Sequence, residues 1–211
     1  MKKMIETYYR ILKHDPEGNL IKDSGLIPSR SYVIQFLEML EGFFKGEDKT
    51  ATDVLNAAEL IVDENVSVRM LRVLAQAGDD SYGTVVGTNA GVTAVNNENY
   101  KLDTKILHSD TEEAEKLNYQ AVTLVVPTAN GGNVDFDITR TFLNETENPI
   151  GVKEIGIICR GGTGYEYFLL LRDVVTEESV LAGYTLTVIY TLRTTVEGHQ
   201  WALLLLRRLT A

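Results

Sequence analysis

The chain has 211 residues, 44% hydrophobic and 24% charged, with a formal net charge of −10 at pH 7 and a pI near 4.8. That composition belongs to a globular protein of about one domain, which buries about seventy per cent of its unfolded surface. The acidic balance argues against the nucleic-acid backbone as a partner, since phosphate neutralisation needs clustered Lys and Arg, and the single cysteine, Cys159, excludes an internal disulfide or a cysteine-based zinc site.

Residues 4–12 predict a strand, with Ile5, Thr7, Tyr9 and Ile11 on one face and Glu6 and Arg10 on the other. Asp15-Pro16-Glu17-Gly18-Asn19 carries turn chemistry, and Leu20 to Lys22 forms the return strand of a hairpin. A helix follows over 31–45, where Val33, Phe36, Leu37, Leu40, Phe43 and Phe44 fall on one apolar stripe. Ser29 or Ser31 is placed to cap it and Gly46 to end it. Residues 47–65 have two readings: a helix over Ala51 to Ile61, or a loop followed by a short strand. Val66 to Leu74 predicts a strand, Gly78 to Gly83 a turn, and Gly87 to Gly91 a second, glycine-punctuated turn.

The second half is β-rich, with strands near 119–127, 133–143, 152–159, 165–172 and 184–195. Val134, Phe136, Ile138 and Phe142 oppose Asp135, Asp137, Thr139 and Thr141. Tyr184, Leu186, Val188, Tyr190 and Leu192 oppose Thr185, Thr187, Thr191 and Arg193. Each run has one apolar and one polar face, and several in series predict a mainly β chain: an antiparallel β-sandwich with one N-terminal amphipathic helix packed on it or capping it. Three portions result: a strand-hairpin and helix portion (1–50), a sandwich body (51–195) and a C-terminal apolar tail (196–211).

No constellation of residues predicts catalysis. Gly87 to Gly91 lacks the Lys-Ser/Thr pair of a phosphate loop. Asp79 and Asp80 lack further oxygen ligands at calcium spacing. Asp135 and Asp137 sit opposite an apolar face, where carboxylates are hydrated. His14, His108 and His199 are scattered outside metal spacing, and Cys159 ends an apolar run as a small core residue. Asn65-Val66-Ser67 and Asn144-Glu145-Thr146 match the glycosylation pattern only by chance. No enzyme activity, cofactor, metal or small-molecule substrate is expected. Glu6, Arg10 and Lys13 interrupt any signal-peptide character at the N-terminus, and Trp201 to Leu206 is too short to span a bilayer, which places synthesis in a reducing cytoplasm.

A series of short phrases resembles a group of small β-sandwich, jelly-roll-like structural proteins of tailed bacteriophages and related prokaryotic viruses. The phrases are Tyr82-Gly83-Thr84-Val85-Val86-Gly87-Thr88, Asn99-Tyr100-Lys101-Leu102, Thr139-Arg140-Thr141-Phe142, Glu154-Ile155-Gly156, Leu171-Arg172-Asp173-Val174 and the Gly183-led Thr-rich strand. They cover about 120 residues in the order found in such proteins. Asn89 stands where those proteins carry glycine, and Leu171 where they carry a small residue. The resemblance implies a virion structural protein (capsid-decorating, neck or tail) that partners with copies of itself and other virion proteins. It also implies a structural ion pair at strand ends around Arg140 and Arg172–Asp173. Two alternatives stand beside it: a receptor- or carbohydrate-binding β-sandwich module, and a cytoplasmic oligomeric scaffold. The tail supplies the candidate assembly residues Trp201, Leu203, Leu204, Leu205, Leu206, Arg207 and Arg208. Its apolar run is too large to be left in water and its arginines suit acidic loops such as Asp110 to Glu115 on a neighbouring copy. The other reading of the tail folds it back onto its own sandwich.

Overall fold

The computed structural model describes residues 5–29, 31–45, 48–62, 72–113, 115–130, 132–161 and 166–195. In chain order the elements are β1 (Glu6–His14), β2 (Leu20–Asp23), β3 (Ile27–Ser29), α1 (Ile34–Lys45), β4 (Lys49–Thr52), β5 (Ala58–Val62) and β6 (Gly83–Gly87). Then come β7 (Asn118–Tyr119), β8 (Thr123–Leu124), β9 (Thr128–Asn130), β10 (Asn133–Leu143), β11 (Ile150–Gly161), β12 (Glu166–Val180) and β13 (Thr185–Thr195). The chain is mainly β, in antiparallel sheets.

The largest sheet has the order β2-β1-β13-β10-β7, with β3 on β1 and both β8 and β9 on β10. Alternation in β10 and β13 decides what this sheet buries. Ile138 faces Tyr190 and Phe142 faces Leu186 across the ladder, and all four side chains are buried. On the other face, Asp137 accepts the Thr191 hydroxyl at 2.7 Å and Asp135 pairs with Arg193. The carboxylates expected to be merely hydrated thus lie in cross-strand pairs. β1 adds to β13 from Glu6↔Arg193 to His14↔Thr185. Its predicted face is buried at Thr7, Tyr9 and Ile11, whereas Ile5 is exposed. The strand expected over 119–127 is instead β7, β8 and β9. Its ladder breaks where Val122 N turns away to Ala75 O, and Pro127 has no N–H to give.

A three-stranded sheet has the order β12-β11-β6. Consecutive residues Val85 and Val86, Ile157 and Ile158, and Leu169 to Leu171 are all buried, so both faces are covered. The two sheets touch through Tyr190, whose hydroxyl donates to Asp173 at 3.1 Å, and through Tyr119, whose hydroxyl lies 3.5 Å from Val86 O.

β4 and β5 form a hairpin, which settles the two readings of 51–61 in favour of loop and strand. Asp53 Oδ1 accepts Leu55 N and Ala57 N and closes its turn. The helix is present and its predicted stripe meets the core in part: Val33 is buried and Phe36 and Leu40 pack against the core, while the buried face is turned toward Gln35, Met39 and Gly42. Leu37 is 64% exposed and Ile34 is exposed. The reason is Gly42, where a Cβ would lie 2.8 Å from Lys49 Cβ and 2.9 Å from Val62 Cβ. The hairpin approaches α1 at its smallest side chain and turns that face inward. Neither serine caps the helix. Ile34 N bonds to Asn97 O at 2.8 Å, while Ser29 and Ser31 both donate to Asp173. Gly46 and most of the predicted strand 66–74 lie outside the described residues, within which no helix is long and apolar enough to cross a membrane.

Candidate functional site

Two buried arginines organise the loops. Arg140 sits between Ile138 and Phe142 on the apolar face of β10 and is fully buried. Its Nε donates to Gln120 O at 2.7 Å, Nη1 to Tyr82 O at 3.1 Å and Thr84 O at 3.2 Å, and Nη2 to Gln76 O at 3.2 Å and Asp79 O at 2.6 Å. One, two and two bonds match the donor capacity of the three nitrogens. The Tyr119 ring covers the guanidinium at 4.7 Å. Burial lowers the Arg140 pKa and pushes the Tyr119 phenol up. The latter donates to Ile106 O at 2.6 Å.

Arg172 is the second centre. Its Nε donates to Glu154 Oε2 at 2.9 Å, its Nη1 to Ala94 O and Asn99 Oδ1 at 3.1 Å, and its Nη2 to Asn89 Oδ1 at 3.1 Å and Thr93 Oγ1 at 2.8 Å. Glu154 also accepts Asp103 N at 3.1 Å and Thr104 N at 2.8 Å. Gly87 makes room for this carboxylate, since a Cβ there would stand 2.5 Å from both Glu154 Oε1 and Thr104 O. Glycine at 87 therefore cradles a carboxylate, not a phosphate. Asn89, the departure from the resembled motif, is a ligand of Arg172 and holds φ at +46°.

The expected ion pair is corrected in two respects. Both arginines lie inside strands and not at their ends, and the partner of Arg172 is Glu154 and not Asp173. Successive strand residues point to opposite faces. Arg172 turns to the covering 89–104 segment. Asp173 turns to the larger sheet, where it accepts Ser29 Oγ at 2.8 Å, Ser31 Oγ and Tyr190 OH.

Every donor of Arg140 is taken by main chain, and Arg172 is ringed by protein acceptors. These centres hold loops; they do not present a reactive group. Asp79 Oδ1 accepts Ser81 N at 2.9 Å, and Asp80 accepts Lys105 Nζ at 3.1 Å and His108 N at 2.6 Å. Both carboxylates of the weak calcium pattern thus fix a turn, and among the described residues no three His, Cys, Asp or Glu side chains converge as metal ligands. His108 Nδ1 accepts Tyr119 N of β7 at 3.2 Å, and His14 ends β1, with β13 and β10 between that strand and β7. Asn144 is fully buried and donates to Asn148 O and Val180 O, which removes it from glycosylation. Trp201, Leu203, Leu204, Leu205, Leu206, Arg207 and Arg208 lie outside the described residues, as do Asn65 and His199.

Sequence reasoning missed Glu154 as the pivot of this region. The signal was there: Arg140 occupies a core register position of an alternating strand, and Glu154 interrupts an apolar run. A charge in such a place must be partnered. No family model, curated protein or solved structure matches the chain.

Proposed function

We propose that the chain is a non-enzymatic structural component of a viral particle: a capsid-decorating, neck or tail protein. In this reading it is an antiparallel β-sandwich of jelly-roll type, made in the host cytoplasm and assembled by protein–protein contact with its own copies and other virion proteins. The observation that carries it is the use made of the resembled phrases. Their charged residues Arg140, Glu154 and Arg172 are spent on clamping the 76–84 and 89–104 loops to the sheets. Rigid loops on a β scaffold suit a part repeated many times in a particle, and such a part needs no catalytic group. Mass spectrometry of purified virions tests the proposal and should find the chain in many copies. Its presence only in the lysate of infected cells, or saturable glycan binding by the lone protein without incorporation, sinks it.

The assembly element in this reading is the tail, Gln200 to Ala211. A chain ending at Thr195 should remain folded and fall to monomer by light scattering. An unchanged particle mass with lower stability assigns the tail to the protein's own core.

A further inference from the structure

The 89–104 segment is held at a cost. Val92, a β-branched residue, sits at φ +53° with its side chain 84% exposed, and Asn89 sits at +46°. Such conformations persist only where the surroundings over-determine them. Here Arg172 does so, through Asn89 Oδ1, Thr93 O, Ala94 O and Asn99 Oδ1 at 3.1 to 3.2 Å. A second turn is built on Asn99. Its Oδ1 also accepts Asn96 N at 2.8 Å, and Asn96 Oδ1 accepts Glu98 N at 2.9 Å. Residues 98–101 are thereby fixed in place.

The polar groups these residues carry are not spent on holding the loop. A concavity of about 290 Å³ is lined by Glu98, Asn99, Tyr100, Lys101, Asp103 and Arg172. Asn99 gives its Oδ1 to Arg172 and keeps its amide NH2. Among the described residues the Glu98 carboxylate, that NH2 and the Tyr100 hydroxyl have no protein partner, and Lys101 Nζ has only the Tyr100 ring, at 5.8 Å. The charges in the wall are of both signs. Glu154 already neutralises Arg172, and Asp103 is held by Gly91 N at 2.7 Å and the Thr104 hydroxyl at 3.0 Å. An anion here meets two carboxylates, and a cation meets Lys101.

We propose that this concavity binds an uncharged saccharide, its hydroxyls shared among Glu98, the Asn99 amide, Tyr100 and Lys101. A carboxylate only accepts, whereas an amide NH2 and an ammonium only donate. A hydroxyl does both, so neighbouring hydroxyls on one ring satisfy all of these groups together without adding a charge. Tyr100 also offers aromatic surface to the C–H face of the ring, in the manner of a side chain with one end apolar and the other wet. A volume near the lower end of the range for small-molecule pockets, roughly 300–1,000 Å³, takes one sugar ring and not a long chain. Function is commonly carried on loops that a rigid scaffold positions, which accounts for a strained segment clamped so heavily. The inference goes beyond the virion reading, which does not fail if it fails.

Amide NMR titration of the full chain with the methyl glycosides of glucose, galactose, mannose and N-acetylglucosamine tests it. At least one is expected to shift the amides of residues 93–103 saturably. Glu98→Gln and Lys101→Met should each weaken that binding about five-fold or more, as loss of a charged hydrogen-bond partner does. Both side chains are exposed and outside the Arg172 clamp, so the spectra of the variants should match the parent elsewhere. Glucose 6-phosphate and glucosamine, which add a charge of either sign, should bind no tighter than glucose. No saturable shift with any glycoside, shifts confined to other residues, unchanged affinity in either variant, or tighter binding of a charged sugar overturns the proposal.

Discussion

Arg172 Nε lies 2.9 Å from Glu154 Oε2, with side-chain exposures of 1% and 0%. The pair joins β12 to β11 underneath the 89–104 segment, and each partner holds that segment at separate points. Burial raises the cost of leaving either charge alone, because neither can recover water.

Removing one partner should therefore cost far more than a surface ion pair is worth. Glu154→Ala is expected to lose about 3–5 kcal/mol in urea unfolding. Replacing both, as Glu154→Leu with Arg172→Met, should lose less than the sum of the two single changes. A single-site loss below about 1 kcal/mol would show that the pair is solvated.

The face of α1 is testable by two truncations of similar size. Met39 is buried and Met39→Ala should cost about 2–5 kcal/mol. Leu37, exposed although it belongs to the sequence-predicted stripe, should change stability by no more than about 0.5 kcal/mol on Leu37→Ala. Melting curves that rank the two the other way place the stripe of the sequence, and not Gly42, against the hairpin.

Arg140→Lys keeps the charge yet replaces five forked donors by three on one nitrogen. At least two carbonyls in the set from Gln76, Asp79, Tyr82, Thr84 and Gln120 then lose their partner, at about 1–3 kcal/mol each. Hydrogen exchange should show lost protection in residues 76–84 before the rest of the chain. Uniform loss across all strands would mean that Arg140 supports the whole core and not one loop.

Acid should weaken the β10–β13 ladder at a defined place. Hydrogen bonds from Arg193, at 2.6 Å to both Asp135 oxygens, hold the Asp135 carboxyl below the ordinary 3.8. A carboxyl depressed in the folded state stabilises fully above its unfolded value and loses that contribution as pH falls through its folded one. Stability should thus drop between about pH 4 and the more acid folded value, and drop less in Asp135→Asn. Identical acid profiles for the two chains would dismiss the pair as a contributor.

Cys159 is fully buried, and burial pushes its thiol up to about 12. Alkylation by iodoacetamide at neutral pH should proceed only through unfolding, with a rate that rises with urea. Rapid labelling of the native chain would show that the β11–β12 ladder opens locally.

Local patterning was enough to find the long strands of the largest sheet. Period two in 4–12, 133–143 and 184–195 predicts both the element and the face it buries, because a pleat turns alternate side chains apart whatever they meet. The hairpin at Asp15 to Asn19 follows from turn chemistry in the same way. The sequence by itself left undecided what each charge would find. Arg172 meets Asn89 and Thr93, and Arg140 meets Gln76 and Asp79, partners more than sixty residues away. Ser29 and Ser31 read as helix caps until Asp173, 144 residues from Ser29, takes their hydroxyls. The stripe of α1 meets the core at Val33, Phe36 and Leu40 but not at Leu37 for the same reason, since a glycine that lets Val62 come close turns the contact face toward Met39. Periodicity is a property of the local backbone; satisfaction of a buried charge and the close approach of two elements depend on distant parts of the chain, and only the tertiary structure brings those together.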